Sequence, residues 1–372
     1  MIKHCCVFVA ACMLWAALFG CGSDIAGQHS VWNESAAAAF EQSATIDSER
    51  DANSSQPAAN YQPGYRHLEF TYRNDEEKRI TRKLSFWYPT EDRVELPIAY
   101  EAVAKGTVEP AAVAEGAHPV IQFSHGLWSA PEFSSFLHEE LARAGFLVIG
   151  PHHQDAVSEW ENHQPKMPEF LKPEEWDDRR HADRAEDLRA VLDYLLAEQN
   201  TTGSFLHGRI NDEQVGAMGH SLGGYTICGL VGGWPSWRDK RIRCALLLSP
   251  YIHPYLREGG GERIDVPVMF QGAWPGDLGI TPFLPALYER LPQPKYLLVL
   301  EGANHFSWTN LVCEGRPAQE AVRVGSPELI VRYTIAFFDR YLRNNKAADA
   351  VLREKDRALN GYVFEDAEAS LE

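Results

Sequence analysis

The chain has 372 residues, of which 45% are hydrophobic and 11% aromatic, and a formal net charge of −17. No basic cluster is present to neutralise phosphates, which excludes nucleic acid as a partner and leaves the acidic surface a role in solubility. The stretch from Tyr65 to Tyr341 has the composition of a folded body, and its length of about 280 residues suits one α/β domain.

The N-terminus reads as an export signal. Lys3 precedes an apolar run from Cys5 to Phe19. That run is shorter than the roughly 20 residues of a membrane span and suits the h-region of a signal peptide, expected over residues 1–20. Leu18-Phe19-Gly20-Cys21 resembles a bacterial lipobox. The resemblance implies cleavage before Cys21, lipidation of that cysteine, and a membrane anchor in the cell envelope. An ordinary secretory signal is the alternative, with a periplasmic or secreted product. Residues 21–63 are rich in Ala, Ser, Asn, Gln, Asp and Glu and cannot bury enough surface to offset ordering entropy, so a flexible tether is expected. A catalytic domain is expected over 64–345 and a tail over 346–372.

Arg66–Arg73 and Lys83–Tyr88 read as antiparallel strands, and Val120–Phe123 as a buried one. Helix is expected from about Pro131 to Ala144, closed by Gly145, before a strand over Phe146–Ile149. A polar and aromatic loop spans His152 to Pro173. Asp177–Gln199 is helical by period, with Leu188, Val191, Leu192 and Leu195 on one face. A strand over Gln214–Met218 leads into a helix from Leu222 to Val231. Strands follow at Ala245–Leu248, Val266–Phe270 and Tyr296–Leu300, with helices at Thr281–Leu291 and Glu328–Leu342. Apolar strands alternating with amphipathic helices predict a mostly parallel central sheet with helices on both faces.

Chemistry concentrates at Gly219-His220-Ser221-Leu222-Gly223-Gly224. G-x-S-x-G between a strand and a helix is a nucleophile elbow, in which side chains two positions either side of the serine would collide. A serine hydroxyl needs a neighbouring base, and in this fold an acid and then a histidine follow it in the chain. His305, in Glu301-Gly302-Ala303-Asn304-His305-Phe306, follows the last parallel strand and is the expected general base. Asp277 follows the strand at Val266–Phe270 and is expected to orient the imidazole. No acid follows the strand ending at Leu248, where the chain reads Ser249-Pro250. The oxyanion donors are expected to be the amides of Leu222 and Leu127, with His125 fixing the loop by a side-chain hydrogen bond.

These segments resemble the α/β-hydrolases of the platelet-activating factor acetylhydrolase and polyester-hydrolase-like group, related to dienelactone hydrolases. Phe123–Leu127, Gly145–Ile149, Gly219–Gly224, Arg241–Cys244 and Gly302–Ser307 carry the likeness. It implies the α/β-hydrolase fold and a serine esterase with a Leu127/Leu222 oxyanion hole. Platelet-activating factor acetylhydrolases place their acid where Ser249 or Pro250 stands, so Asp277 follows the polyester-hydrolase pattern. Dienelactone hydrolases use cysteine where this chain has Ser221.

Trp128, Trp160, Trp234, Trp237, Trp274 and Trp308 fall near the predicted active edge, and two or three are expected to line an apolar acyl or aryl pocket, foremost Trp128, Trp274 and Trp308. No cofactor or metal is expected, and a structural role is assigned to His152 and His153. Cys228, Cys244 and Cys313 allow one disulfide or three free thiols. The expected function is hydrolysis of small-molecule or lipid carboxylic esters through an acyl-enzyme. A phospholipid acetylhydrolase or lipase is the nearer alternative, and a catalytically silent, surface-tethered binding protein the more distant one.

Overall fold

A computed structural model describes residues 61–159, 166–257, 259–310 and 326–366. The expected signal peptide, Cys21, nearly all of the tether, Trp160 and Cys313 lie outside them. Among the described residues no helix is long and apolar enough to cross a membrane.

The chain builds one nine-stranded sheet in the order β1-β2-β4-β3-β5-β6-β7-β8-β9. β1 (Gln62–Arg73), β2 (Arg79–Thr90) and β4 (Leu147–Pro151) pair antiparallel. β3 (His118–Ser124), β4, β5 (Ile210–His220), β6 (Ile242–Leu248), β7 (Val268–Gly276) and β8 (Lys295–Asn304) run parallel. All seven residues of β3 and all five of β4 are buried, as a sheet covered on both faces demands.

Helices cover both faces. α1 (Tyr100–Ala104) is one short turn before β3. α2 (Ser135–Arg143) and α6 (Pro327–Leu342) pack on one face, where Leu137, Leu141, Tyr333 and Phe337 meet Phe123, Met218 and Leu246. α3 (Ala182–Asn200), α4 (Leu222–Cys228) and α5 (Leu284–Tyr288) cover the other, where Leu188, Tyr225 and Leu287 meet Ala217, Leu247 and Phe270. This is the α/β-hydrolase architecture expected from the alternation of elements.

Several boundaries differ from the sequence reading. The helix expected from Asp177 begins at Ala182, after His181 in a left-handed conformation (φ 62°). Pro282 and Pro285 lack amide donors, and the segment they occupy divides into a 3-10 turn, Thr281–Phe283, and the short α5. β7 continues to Gly276, so Trp274 is a strand residue. The segment expected as a tail folds: α7 (Asp349–Leu352) leads to β9 (Leu359–Glu365), which pairs antiparallel with β8. The charged run Arg353–Arg357 hides this strand in the sequence, but Leu359, Gly361 and Tyr362 are buried against the sheet. Cys228 and Cys244 are buried free thiols.

Candidate active site

Ser221 caps α4 with φ 57° and ψ −117°, a conformation that side-chain-bearing residues rarely adopt. The local sequence makes this possible. A Cβ on Gly219 would lie 2.3 Å from the carbonyl oxygen of Gly223, and one on Gly223 would lie 1.9 Å from that of Ser124. Any other residue at either place would push the strand, the turn and the helix apart. Ser221 is half-buried, at the carboxyl edge of the sheet beside the ends of β3 and β6.

The structure brings the three expected residues together. His305 Nε2 is 3.0 Å from Ser221 Oγ, and His305 Nδ1 is 3.2 Å from Asp277 Oδ1. Histidine and aspartate are both buried, so their pairing is shielded from water. Asp277 is in turn fixed by the Thr281 hydroxyl, which donates to Oδ2, and by the Ala273 amide at 3.3 Å.

Ser249 is a fourth member that sequence reasoning misses. It follows β6 with φ 42°, and its Oγ donates to Asp277 Oδ1 while lying 2.7 Å from His305 Nδ1. The hydroxyl thus bridges the His305 imidazole and the Asp277 carboxylate from the end of β6, where the sequence offers no acid. That position is the one available signal, and a serine there reads as an absent acid. His220 is missed in the same way. Its Nε2 donates to the His305 carbonyl at 2.7 Å, and its ring lies 4.9 Å from the His305 ring. Burial, and then the neighbouring His305, push His220 down to about 3, so it stays neutral and keeps this role as donor.

The loop His125-Gly126-Leu127 lies against Ser221: a Cβ on Gly126 would be 3.4 Å from Ser221 Cβ. Its direction is set from behind. Arg184, wholly buried on α3, donates to the carbonyls of His125 at 2.7 Å and Gly126 at 3.2 Å. In a trans peptide the N–H points opposite to the C=O, so the Leu127 amide faces away from Arg184. The Ser221 carbonyl likewise accepts from the amides of Tyr225 at 3.2 Å and Tyr251 at 3.1 Å, which leaves the Leu222 amide directed out of the helix N-terminus. Asp155 pairs with Arg184 at 2.8 Å. Burial alone would raise its carboxyl, but the guanidinium holds it well below the usual carboxylate range. His125 bonds Gly126 O at 2.7 Å and receives the His153 amide at 3.1 Å.

A second Ser-His-Asp arrangement lies beneath this loop. Ser124 Oγ is 3.0 Å from His153 Nε2, and His153 Nδ1 is 2.8 Å from Asp187 Oδ2. All three side chains are fully buried, and Asp187 also accepts from Tyr72 at 2.6 Å and Arg82 at 2.8 Å. Ser124 sits at a strand end with no solvent exposure, so an ester has no approach to it. The geometry makes this group a brace for the loop.

The tryptophans divide. Trp128 and Trp274 are half-buried, as are Leu127 and Phe306, and all four lie at or just after the carboxyl ends of β3, β7 and β8. Trp308 is fully buried, contrary to expectation; its Nε1 donates to Gln271 Oε1 at 2.9 Å, and it braces the His305 loop from within the core. Trp237 is also buried, donating to the Asp178 carbonyl at 2.7 Å, while Trp234 is half-buried and bonds the Tyr225 hydroxyl at 3.0 Å.

Comparison with known proteins agrees with this architecture. Residues 99–191 match the family described as platelet-activating factor acetylhydrolase, isoform II. A platelet-activating factor acetylhydrolase of Cavia porcellus is 24% identical over 265 residues, covering 62% of this chain and 59% of that protein. Cutinase est2 of Thermobifida alba is 31% identical over 127 residues, 33% of this chain and 38% of the relative. The chain therefore spans less than two thirds of the length of these relatives. Among solved structures, a ferulic acid esterase from Streptomyces cinnamoneus superposes with a TM-score of 0.57 at 20% identity, covering 84% of this chain and 98% of its own. Strand order, the elbow and the solved neighbour give the chain the α/β-hydrolase fold, and the sequence matches show its similarity to platelet-activating factor acetylhydrolases and cutinases.

Proposed function

We propose that the protein is a serine esterase that hydrolyses carboxylic esters through an acyl-enzyme. The observation that carries this reading is the 3.0 Å contact between Ser221 Oγ and His305 Nε2, with Nδ1 turned to Asp277 and Ser249. Ser221 Oγ attacks the ester carbonyl carbon as its proton passes to His305 Nε2. The negative charge that develops on the carbonyl oxygen is met by the Leu127 and Leu222 amides. The carbon–oxygen bond to the alcohol breaks, and that alcohol leaves with the proton from His305. Water then gives a proton to His305 and attacks the acyl carbon; the bond to Ser221 Oγ breaks as His305 returns that proton to it, and the acid leaves. Asp277 keeps the imidazole in the tautomer that accepts at Nε2.

The half-buried Leu127, Trp128, Trp274 and Phe306, at the carboxyl edge of the sheet, would suit an apolar acyl or aryl group. The family match over residues 99–191 and the acetylhydrolase relative favour a second, narrower reading, an acetylated phospholipid as substrate. The run ending at Cys21 favours export and lipid anchoring; a Cys21→Ser variant should then leave the membrane fraction, and its retention there would remove the anchor.

The purified protein should hydrolyse p-nitrophenyl esters and label with a fluorophosphonate. Ser221→Ala should lower kcat by more than about 10^4-fold and abolish labelling. Normal turnover by that variant would sink the assignment, and an unlabelled wild type would point to a binding protein that kept only the fold. A chain-length panel of esters, run beside an acetylated phospholipid, separates the two substrate readings.

A further inference from the structure

The sheet register assembles a cluster well apart in sequence from the elbow. His67 on β1 pairs directly with Ser85 on β2, and Ser85 with Gly150 on β4. His152 follows β4 by one residue. The 3-10 turn Pro131–Ser134, which follows the oxyanion loop, brings Glu132 to the same place. One ligand atom from each of His67, Glu132 and His152 lies within 4.8 Å of the others.

We propose that His67, Glu132 and His152 bind a divalent cation of the zinc type. Two imidazoles and one carboxylate are a donor set that zinc favours, at about 2.0–2.2 Å from the ion. Two ligands at that distance in a tetrahedral site are about 3.4 Å apart. His152 Nε2 and Glu132 Oε1 stand 3.3 Å apart already. His152 is held in place by its Nδ1, 2.9 Å from Ser158 Oγ, and with the proton on Nδ1 the Nε2 lone pair faces the cluster. The His67 ring lies edge-on to that of His152, and its Nδ1 is buried without a hydrogen-bond partner among the described residues.

The remaining polar groups complete the surroundings. Tyr65 donates to Glu132 Oε1 at 2.9 Å, and Ser85 donates to the same carboxylate. Ser85 Oγ also lies 2.9 Å from His152 Nε2 and so ties the imidazole to the carboxylate. An ion here would tie β1, β4 and the segment after the oxyanion loop at one point. Its role is to brace that loop, and the ester chemistry proceeds without it.

The test uses the full-length protein, stripped with a chelator and titrated with zinc chloride. Calorimetry and elemental analysis should show one zinc per chain, with a melting temperature that rises and saturates as zinc is added. His152→Ala and Glu132→Gln should each weaken binding by about a hundredfold or more. His67→Gln changes a partly exposed side chain and keeps the test decisive if the other variants misfold. X-ray absorption of the zinc form should show imidazole nitrogen at about 2.0–2.1 Å. Absence of saturable zinc binding, sulfur in the coordination shell, or a stoichiometric zinc that His67→Gln leaves in place would each overturn the proposal.

Discussion

Ser249 shows how a position can keep its place in the chain and change its part. Its hydroxyl has one proton, given to Asp277, and lone pairs that face the Nδ1–H of His305. Losing a buried hydrogen bond to a charged group costs about 1.5–3 kcal/mol, and this one strengthens when the imidazole gains its second proton in the transition state. Ser249→Ala should therefore lower kcat by about 10- to 100-fold. KM should change little, because the hydroxyl faces the acid and base. Steady-state kinetics with a p-nitrophenyl ester decides it; an unchanged kcat would reduce Ser249 to a packing residue. The elbow residues are legible in the sequence because a strained turn admits few residue types. Ser249 is not, because a serine after a strand end has many ordinary uses.

Among the elements, α2 carries an unusual burden. His138 is fully buried between the rings of Trp87 and Phe123, at 4.5 and 4.4 Å, and neither of its nitrogens has a hydrogen-bond partner among the described residues. Burial pushes it down to about 3. A histidine depressed in the fold binds fewer protons there than in the unfolded chain. Its contribution is complete above the unfolded value near 6.5 and is lost as pH falls towards 3. Between pH 7.5 and 5 that loss amounts to about 2 kcal/mol. His138→Leu should flatten the dependence by about that amount. It should also raise stability at neutral pH by about 1–3 kcal/mol, since two unpaired nitrogens leave the core. Urea midpoints at both pH values check this, and an unaltered slope would mean that His138 already has a partner. The period of α2 marks its apolar face in the sequence, but it does not say that a histidine occupies that face.

At the scale of the whole molecule, the sheet closes its far edge with β9. The alternation of β3 to β8 with helices is readable from hydrophobic runs, because strands buried on both faces are apolar throughout. An edge strand is not: β9 mixes buried Leu359 and Tyr362 with an exposed Asn360, behind a charged run. A chain ending at Leu352 should lose the burial of those two side chains, about 3–6 kcal/mol, and uncover the backbone of β8. Its melting temperature should fall and light scattering on storage should rise. Unchanged behaviour on both counts would return the segment to a dispensable tail.

Sequence alone determined the features that local chemistry dictates: the glycines around Ser221, the order serine, acid, histidine, and the parallel sheet. Each follows from a rule that acts within a few residues or along one element. Tertiary structure decided what depends on which distant elements meet. It turned Trp308 inward from the expected pocket to a bond with Gln271, and set Ser249 between His305 and Asp277. It placed Arg184 behind the His125–Leu127 loop, and gathered His67, Glu132 and His152 from three separate segments. These contacts form across strand register and helix packing, which no spacing along the chain encodes.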